Sequence, residues 1–391
     1  MRIVSIWAKG AAVGPIQSDS LAALEELGHE IRVFPTEALA DLKVLRDEVR
    51  SFAPHFGFFV ANLSVPLEVL DELGVPFASW FADNPFRVLD ERFRGACMSL
   101  FCWDRDYLDE LTDYGIEHVH WLPLAANPRR FAPGPQDPEL VAPLSFCADC
   151  GDEELLGDLP FDQVPGLKAV IEELIDAQGK HPARRADTLA RDLAMRSRTH
   201  GLLARALASD RSLAREVEIC VQASAGVLYR RRALLALVTG GVPLDVYGPS
   251  GWERILDRLP RVRIGGWLDN GEALARLYRS STLNLNLTIP QLRTALPMRI
   301  FDALAAGGAV LSDWRPDLER FFEPACEISV ARSTEELVDL ARWLLRHPTH
   351  AGDTARAGRS RVLAEHTFVH RMESMVRYMA HDHDLALDRA A

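Results

Sequence analysis

LPMRIFDALAAGGAVLSD, Leu296 to Asp313, reads as a short helix opened by a proline, halted by two glycines and followed at once by a strand. Pro297 suits the first helical position, where its missing N–H would lack a partner anyway. Ala305, Ala306, Gly307 and Gly308 allow close helix–sheet packing and end the helix. TLNLNLT ahead of it supplies an earlier strand, and strand, helix and strand together form a unit whose strands lie parallel. Outward from there the alternation holds. PLSFCADCG, PLDVYG and VRIGGW read as strands, with helices GVLYRRRALLALVTGG and NGEALARLYRSS among them. Toward the N-terminus RIVSIWAKG, IRVFP, FGFFVA, VPFASWFAD, MSLFCWD and HVHWLPLA read as strands. Between them lie the helices SDSLAALEELGHE (capped by Ser18 or Asp19), LADLKVLRDEVRSFA, VPLEVLDELG and RDYLDELTDYG. The fold class is α/β, with two Rossmann-like parallel-sheet domains.

A chain of 391 residues exceeds what one hydrophobic core ordinarily serves, which agrees with two domains. The loop NPRRFAPGPQDPELVAP, rich in proline, marks the junction. We expect an N-terminal domain over 1–140, a C-terminal domain over 141–365, and a C-terminal helix over 366–391 that packs back toward the first domain. Residues 155–218, rich in Ala, Arg and Leu and without a clear strand, read as a helical insertion. Within it LARDLAMRSRTHGLLARALASD has the look of a basic amphipathic helix, but interleaved acids favour a segment packed on its domain.

The net charge of -12 argues against broad binding to nucleic acid. No apolar run reaches the ~18 residues of a membrane span. The opening IVSIW is too short for a secretory core. Six scattered cysteines suggest reduced thiols, and the expected location is cytoplasmic. Cys147 and Cys150 have metal or redox spacing, but no second pair completes a zinc site, so a structural role is expected.

In a doubly wound sheet, ligands bind beyond the carboxyl ends of the strands. Gly248, Gly266, Trp267 and the stretch Gln291 to Arg299 occupy such loops. Arg299 and Asp302 lie three apart, on one face of the helix near its N-terminus. Free backbone N–H groups and Arg299 suit a phosphate there, and a carboxylate one turn deeper suits two vicinal ribose hydroxyls. The other reading is a solvated ion pair. Asp83, in WFADNPF, ends a strand and is either a general base or part of an Asx-turn before Pro85.

LPMRIFDALAAGGAVLSD, with RFFEP, STEELVDLARWLLRHP and AEHTFVHRM, resembles the C-terminal half of the CgeB-like, spore-maturation-type glycosyltransferases. VPFASWFADNPF and LFCWDRDYLDELTDYGIEHVHWLPLAANPRRF resemble the domain that precedes it, so the likeness is collinear over most of the chain and weak only in the insertion. It implies the GT-B fold, with a nucleotide-diphosphate sugar on the C-terminal domain, an unknown acceptor (protein, glycan or small molecule) in a central cleft, and no metal or other cofactor. It further implies that Asp302 holds the donor ribose and Arg299 lies near the diphosphate. Arg230 and Arg231 match an arginine-bearing helix start facing the cleft; their other reading is a solvated basic face. Gly248 and Trp267 would border base and phosphates. Two departures stand out: Ala148 replaces a glycine after the strand, and Thr294 stands where retaining enzymes carry a first acid. A non-catalytic protein of the same fold, as a binding or assembly factor, and a nucleotide-sugar epimerase are the alternatives.

Asp104-Arg105-Asp106 and Asp382-His383-Asp384 both spell the metal–diphosphate motif of another transferase fold. Asp104 is explained as a helix cap and the second motif lies in a polar tail. His366 and His370 share one helix face, suited to docking the last helix rather than to a metal.

Overall fold

The computed structural model describes residues 1–8, 13–150, 166–256 and 259–386. They fall into two compact units, one of Met1–Asn127 with the chain from Ala364 onward, the other of Pro128–Leu363.

The first unit holds strands β1 (Arg2–Ile6), β2 (Glu30–Phe34), β3 (Phe56–Val60), β4 (Phe77–Phe81), β5 (Met98–Cys102) and β6 (His118–Trp121). All pair in parallel, in the order β2-β1-β3-β4-β5-β6. FGFFV, FASWF and MSLFC are buried at every position, as strands covered on both faces must be. The helices are α1 (Val13–Glu26), α2 (Leu42–Phe52), α3 (Leu67–Leu73) and α4 (Leu108–Tyr114). Asp41 caps α2 through the N–H groups of Lys43 and Val44. Gly74 and Gly115 close α3 and α4 with positive φ of 64° and 106°, conformations that glycine adopts without a Cβ penalty.

One expectation fails here. Ser18 and Asp19 do not cap α1, which starts five residues earlier than Ser18, at Val13. Both lie inside the helix, and Asp19, buried, accepts a hydrogen bond from Asn127 Nδ2 at 2.8 Å. The long-range bond and the buried apolar face outweigh the local capping preference of these residues.

The second unit opens with β7 (Ala142–Cys147), then α5 (Leu167–Lys180), α6 (Ala186–Leu193), α7 (Arg198–Ser209) and α8 (Arg211–Thr239). Next come β8 (Leu244–Tyr247), α9 (Trp252–Leu256), β9 (Val262–Gly265), α10 (Glu272–Ser280), β10 (Ser281–Asn286), α11 (Met298–Ala305) and β11 (Val310–Asp313). The unit ends with α12 (Leu318–Phe321), β12 (Ser329–Ala331), α13 (Thr334–Arg346) and α14 (Pro348–Glu365), after which α15 (Phe368–Asp382) belongs to the first unit. The second sheet is also parallel, in the order β12-β11-β10-β7-β8-β9. Its order reverses at β7, between β10 and β8, so the ligand crevice of a doubly wound sheet lies beyond the carboxyl ends of β7 and β10.

The residues expected to form a helical insertion split two ways. Positions 155–165 lie outside the described residues. From Leu167 on, α5 to α7 and the first half of α8 share a hydrophobic core of their own, with Ile171, Leu174, Leu189, Leu203 and Val221. A second correction follows: Arg230 and Arg231 do not open a helix. They lie deep inside the 29-residue α8, because no breaker interrupts 211–239. Gly226 is accommodated there by close packing, a Cβ meeting Ile289 Cγ2 at 3.1 Å.

Candidate donor-side site

The β10–α11 connection brings the opening stretch to the crevice. Pro297 is the residue just before the helix (φ -73°, ψ 151°), one position earlier than expected, and Met298 begins it. Arg299 sits in the first turn, partly exposed, with Nη1 buried and lacking a hydrogen-bond partner among the described residues. Asp302, one turn deeper, is 2% exposed. Charge at both positions reaches Tyr278, whose phenol is pushed well above its usual range by burial, Asp302 adding to the rise and Arg299 opposing it.

Arg230 arrives from α8. Its Nη1 donates to the Asp149 carbonyl at 2.9 Å, and its guanidinium lies 5.8 Å from the Phe146 ring centroid. Although some of its surface reaches solvent, its charged end is packed deeply enough that burial, and next the like charge of Arg299, push its pKa down to about 9. A guanidinium whose charge is disfavoured by burial and by a neighbouring cation, at the carboxyl edge of a sheet, forms a site that an anion would relieve. Cys147, at the end of β7, feels Arg299 too: burial pushes its thiol up and the cation pulls the other way.

The remaining predicted residues are placed less uniformly. Arg231 follows Arg230 by one position, so it projects from a different side of α8, and it is exposed. Gly248 has a packing reason: a Cβ there would collide with the Ala148 carbonyl oxygen, which also accepts from Trp252 Nε1 at 2.9 Å. Trp267 stands 66% exposed just beyond β9, next to Gly266, whose surroundings are open. Asp83 belongs to the first unit, beyond β4. Its Oδ1 accepts from Asn84 N at 2.5 Å and Arg87 Nη1 lies 3.8 Å from Oδ2. Burial nonetheless pushes its carboxyl up, against the pull of Asn84 N and Arg87. The Asx-turn before Pro85 is made by Asn84, whose Oδ1 accepts from Phe86 N at 3.1 Å.

Comparison with known proteins gives three results. Residues 230–377 match the family described as "Glycosyl transferase-like". No curated protein sequence matches. Among solved structures, a glycosyltransferase from Rickettsia africae is 10% identical at TM-score 0.58, over 98% of this chain and 99% of that one. Sucrose-phosphate synthase from Thermosynechococcus elongatus is 12% identical at TM-score 0.57, covering 99% and 100%. HepE of Anabaena in complex with UDP-glucose is 10% identical at TM-score 0.54, covering 97% and 100%. The fold is GT-B.

Several residues of this GT-B chain escaped the sequence reading. Arg293, 4% exposed in the β10–α11 loop, meets Glu218 of α8 through two hydrogen bonds, Nε to Oε1 at 3.0 Å and Nη2 to Oε2 at 2.5 Å. Gln222 Nε2 adds a third to Glu218 at 2.9 Å. The partners are 75 positions apart, and no local signal links them. Asp313 Oδ1 at the end of β11 accepts from Thr288 N and Thr288 Oγ1, each at 2.9 Å, and the wholly buried Arg315 pairs with Asp313 Oδ2 at 3.3 Å. Here a signal existed: Asn284, Asn286 and Thr288 alternate along TLNLNLT and line one face of β10 and its exit. A cavity of about 200 Å³ lies at the ends of β11 and β12, bordered by Tyr229, Asp313 and Trp314.

The motifs set aside in the sequence have other work in this GT-B chain. Asp104, fully buried, caps its turn by accepting from Asp106 N at 3.1 Å. Asp382 accepts from Ser99 Oγ and His120 Nε2, both at 2.6 Å. Burial acts to raise its pKa, but Ser99, His120 and His118 together hold it below the usual carboxylate range. His370 Nδ1 completes a capping box with Thr367 at the start of α15, and His366 Nδ1 lies 3.2 Å from Arg371 Nη2. Among the described residues no group of three or more His, Cys, Asp or Glu is placed to hold a metal ion, and no helix is long and apolar enough to cross a membrane.

Proposed function

We propose that this chain is a metal-independent glycosyltransferase that moves a sugar from a nucleotide-diphosphate donor to an acceptor, and that it belongs with the CgeB-like enzymes it resembles. The observation that carries the reading is the Arg230–Arg299 pair at the switch point of the second sheet, beside the first turn of α11. A diphosphate seated there would meet two guanidinium groups and free backbone N–H groups, so charge developing on the leaving group is stabilised without a cation. Asp302 is assigned to the ribose hydroxyls, Gly248 and Trp267 to the border of base and phosphates, and Arg231 to the outer rim. Asp104 and Asp382, the first carboxylate of each DxD motif, are engaged in protein hydrogen bonds, which supports a mechanism that does not enlist them for metal. Asp83 is assigned as general base on the acceptor hydroxyl, burial raising its carboxyl and so making it a stronger base than a solvated aspartate. That HepE of Anabaena was solved with UDP-glucose supports a uridine nucleotide as the first donor to try.

Thermal unfolding against UDP, dTDP, GDP and their sugar conjugates tests this reading. A ligand at 100 times its dissociation constant adds about 2.7 kcal/mol to folding stability, a visible midpoint shift. We expect a shift with one nucleotide, unchanged by EDTA and lost in Asp302→Ala. No shift with any nucleotide overturns the donor site. A shift abolished by EDTA overturns the metal-independent mechanism.

A further inference from the structure

The helices between β7 and β8 carry a charge opposite to that of the chain. Residues 184–215 contain eight arginines and three aspartates, a formal +5 within a protein of -12. The rest of the molecule therefore carries about -17, so this stretch is a basic region on an acidic protein. α7 turns His200, Leu203, Ala204 and Leu207 inward to the core shared by α5 to α8. Its outer face presents Arg198, Leu202 and Arg205, at positions i, i+4 and i+7, all exposed.

Two apolar side chains stand out on this basic surface. Met195, in the turn between α6 and α7, is 94% exposed, the most of any large hydrophobic residue described, and Leu202 is 50% exposed. Arginines flank both. Arg191 and Arg196 are paired, with Asp187 at 3.5 Å and Glu173 at 3.0 Å, whereas Arg198 and Arg205 have no ion-pair partner among the described residues. Unpaired arginines around protruding apolar side chains are the pattern of a surface that meets an interface with anionic groups outside and hydrocarbon beneath. A nucleic acid would use the arginines and leave Met195 and Leu202 without a role.

We infer that the outer face of α7, with the α6–α7 turn, docks on an anionic lipid surface. The arginines meet lipid phosphates and Met195 and Leu202 enter the headgroup–acyl boundary. The strongly acidic remainder is repelled by the same surface, so contact is confined to this face and the second unit acquires a fixed orientation. This inference stands independently of the donor site.

Co-sedimentation of the full chain with vesicles provides the test, using phosphatidylcholine alone and a three-to-one mixture of phosphatidylcholine and phosphatidylglycerol. We expect binding to the mixed vesicles only, weakened by salt and at least tenfold weaker for R198E/R205E. M195S/L202S should also bind more weakly, because it leaves the charge and removes the inserted groups. All four positions are exposed, so both variants should keep the wild-type thermal midpoint and, if the donor site is as proposed, the wild-type nucleotide shift. Absence of binding to mixed vesicles at low salt overturns the inference. So does binding unaffected by either variant, or equally tight binding to a DNA duplex under the same conditions.

Discussion

Arg230 and Arg299 exemplify a residue-scale conflict that has a purpose. A guanidinium pushed down to about 9 by burial and a neighbouring cation destabilises the empty protein, since the unfolded chain holds that proton more tightly. Arg230→Gln is therefore expected to leave the thermal midpoint of the ligand-free protein unchanged or raised, while donor affinity falls at least tenfold, a loss of about 1.4 kcal/mol or more. Calorimetric titration with the nucleotide found in the first screen, beside a melting curve, separates the two effects. A midpoint lowered by several degrees with affinity intact would show that Arg230 is structural. Asp83 supplies the pH arm. Its carboxyl is raised by burial, so transfer activity should fall on acidification at a pH above the ordinary carboxylate value of about 4, and Asp83→Asn should be inactive while still binding nucleotide.

At the scale of elements, two tethers hold parts of the chain that local preference does not. The Glu218–Arg293 pair fixes the loop before α11 to the first third of α8, and both side chains are nearly inaccessible. Glu218→Leu would leave Arg293 buried without its acid and is expected to cost about 3–5 kcal/mol in urea unfolding. The double change Glu218→Leu with Arg293→Met should recover most of that loss. The end of α15 is the second tether, where Asp382 and His383 meet Ser99 and Asp382 also meets His118 and His120. His383 is held below its ordinary value, first by burial and then by the charge of His118. A histidine lowered in the fold binds its proton more readily when unfolded, so its contribution is lost as pH falls through about 6.5 toward the folded value. Asp382, lowered in the fold, loses its contribution only further down, below about 4. The protection factors of α15 amides, with the intrinsic pH dependence of exchange divided out, should fall as pH drops below about 6.5, and His383→Gln should flatten that dependence.

What the residues disclosed follows from the range of the forces involved. The βαβ alternation and the crevice helix were legible because they rest on periodicity and on Pro297, Gly307 and Gly308, all local signals. The N-terminus of α1 was misread because Asp19 answers to Asn127, and the start of α8 because nothing in LYRRRALLAL says whether the helix began earlier. Arg293 with Glu218 is a pairing of distant positions and left no trace in either neighbourhood. Gly248 was singled out for a ligand, yet the Ala148 carbonyl already accounts for it, a close approach of two loops that composition does not disclose.

For the whole molecule, the decisive feature is that the first unit is made from both ends of the chain. Phe368 packs edge-on against Trp80, and Arg371 Nε donates to the Pro123 carbonyl at 2.9 Å, so α15 belongs to the sheet that begins at Arg2. On a ribosome, the six strands of that sheet emerge first and must wait for their last helix, while Pro128–Leu363 emerges and can fold in the interval. The usual order of assembly is thus reversed: the unit synthesised first is the one completed last. A nascent chain arrested soon after Leu363 should show a protease-resistant second unit and a labile first one, and α15 supplied as a separate segment should restore resistance to the first.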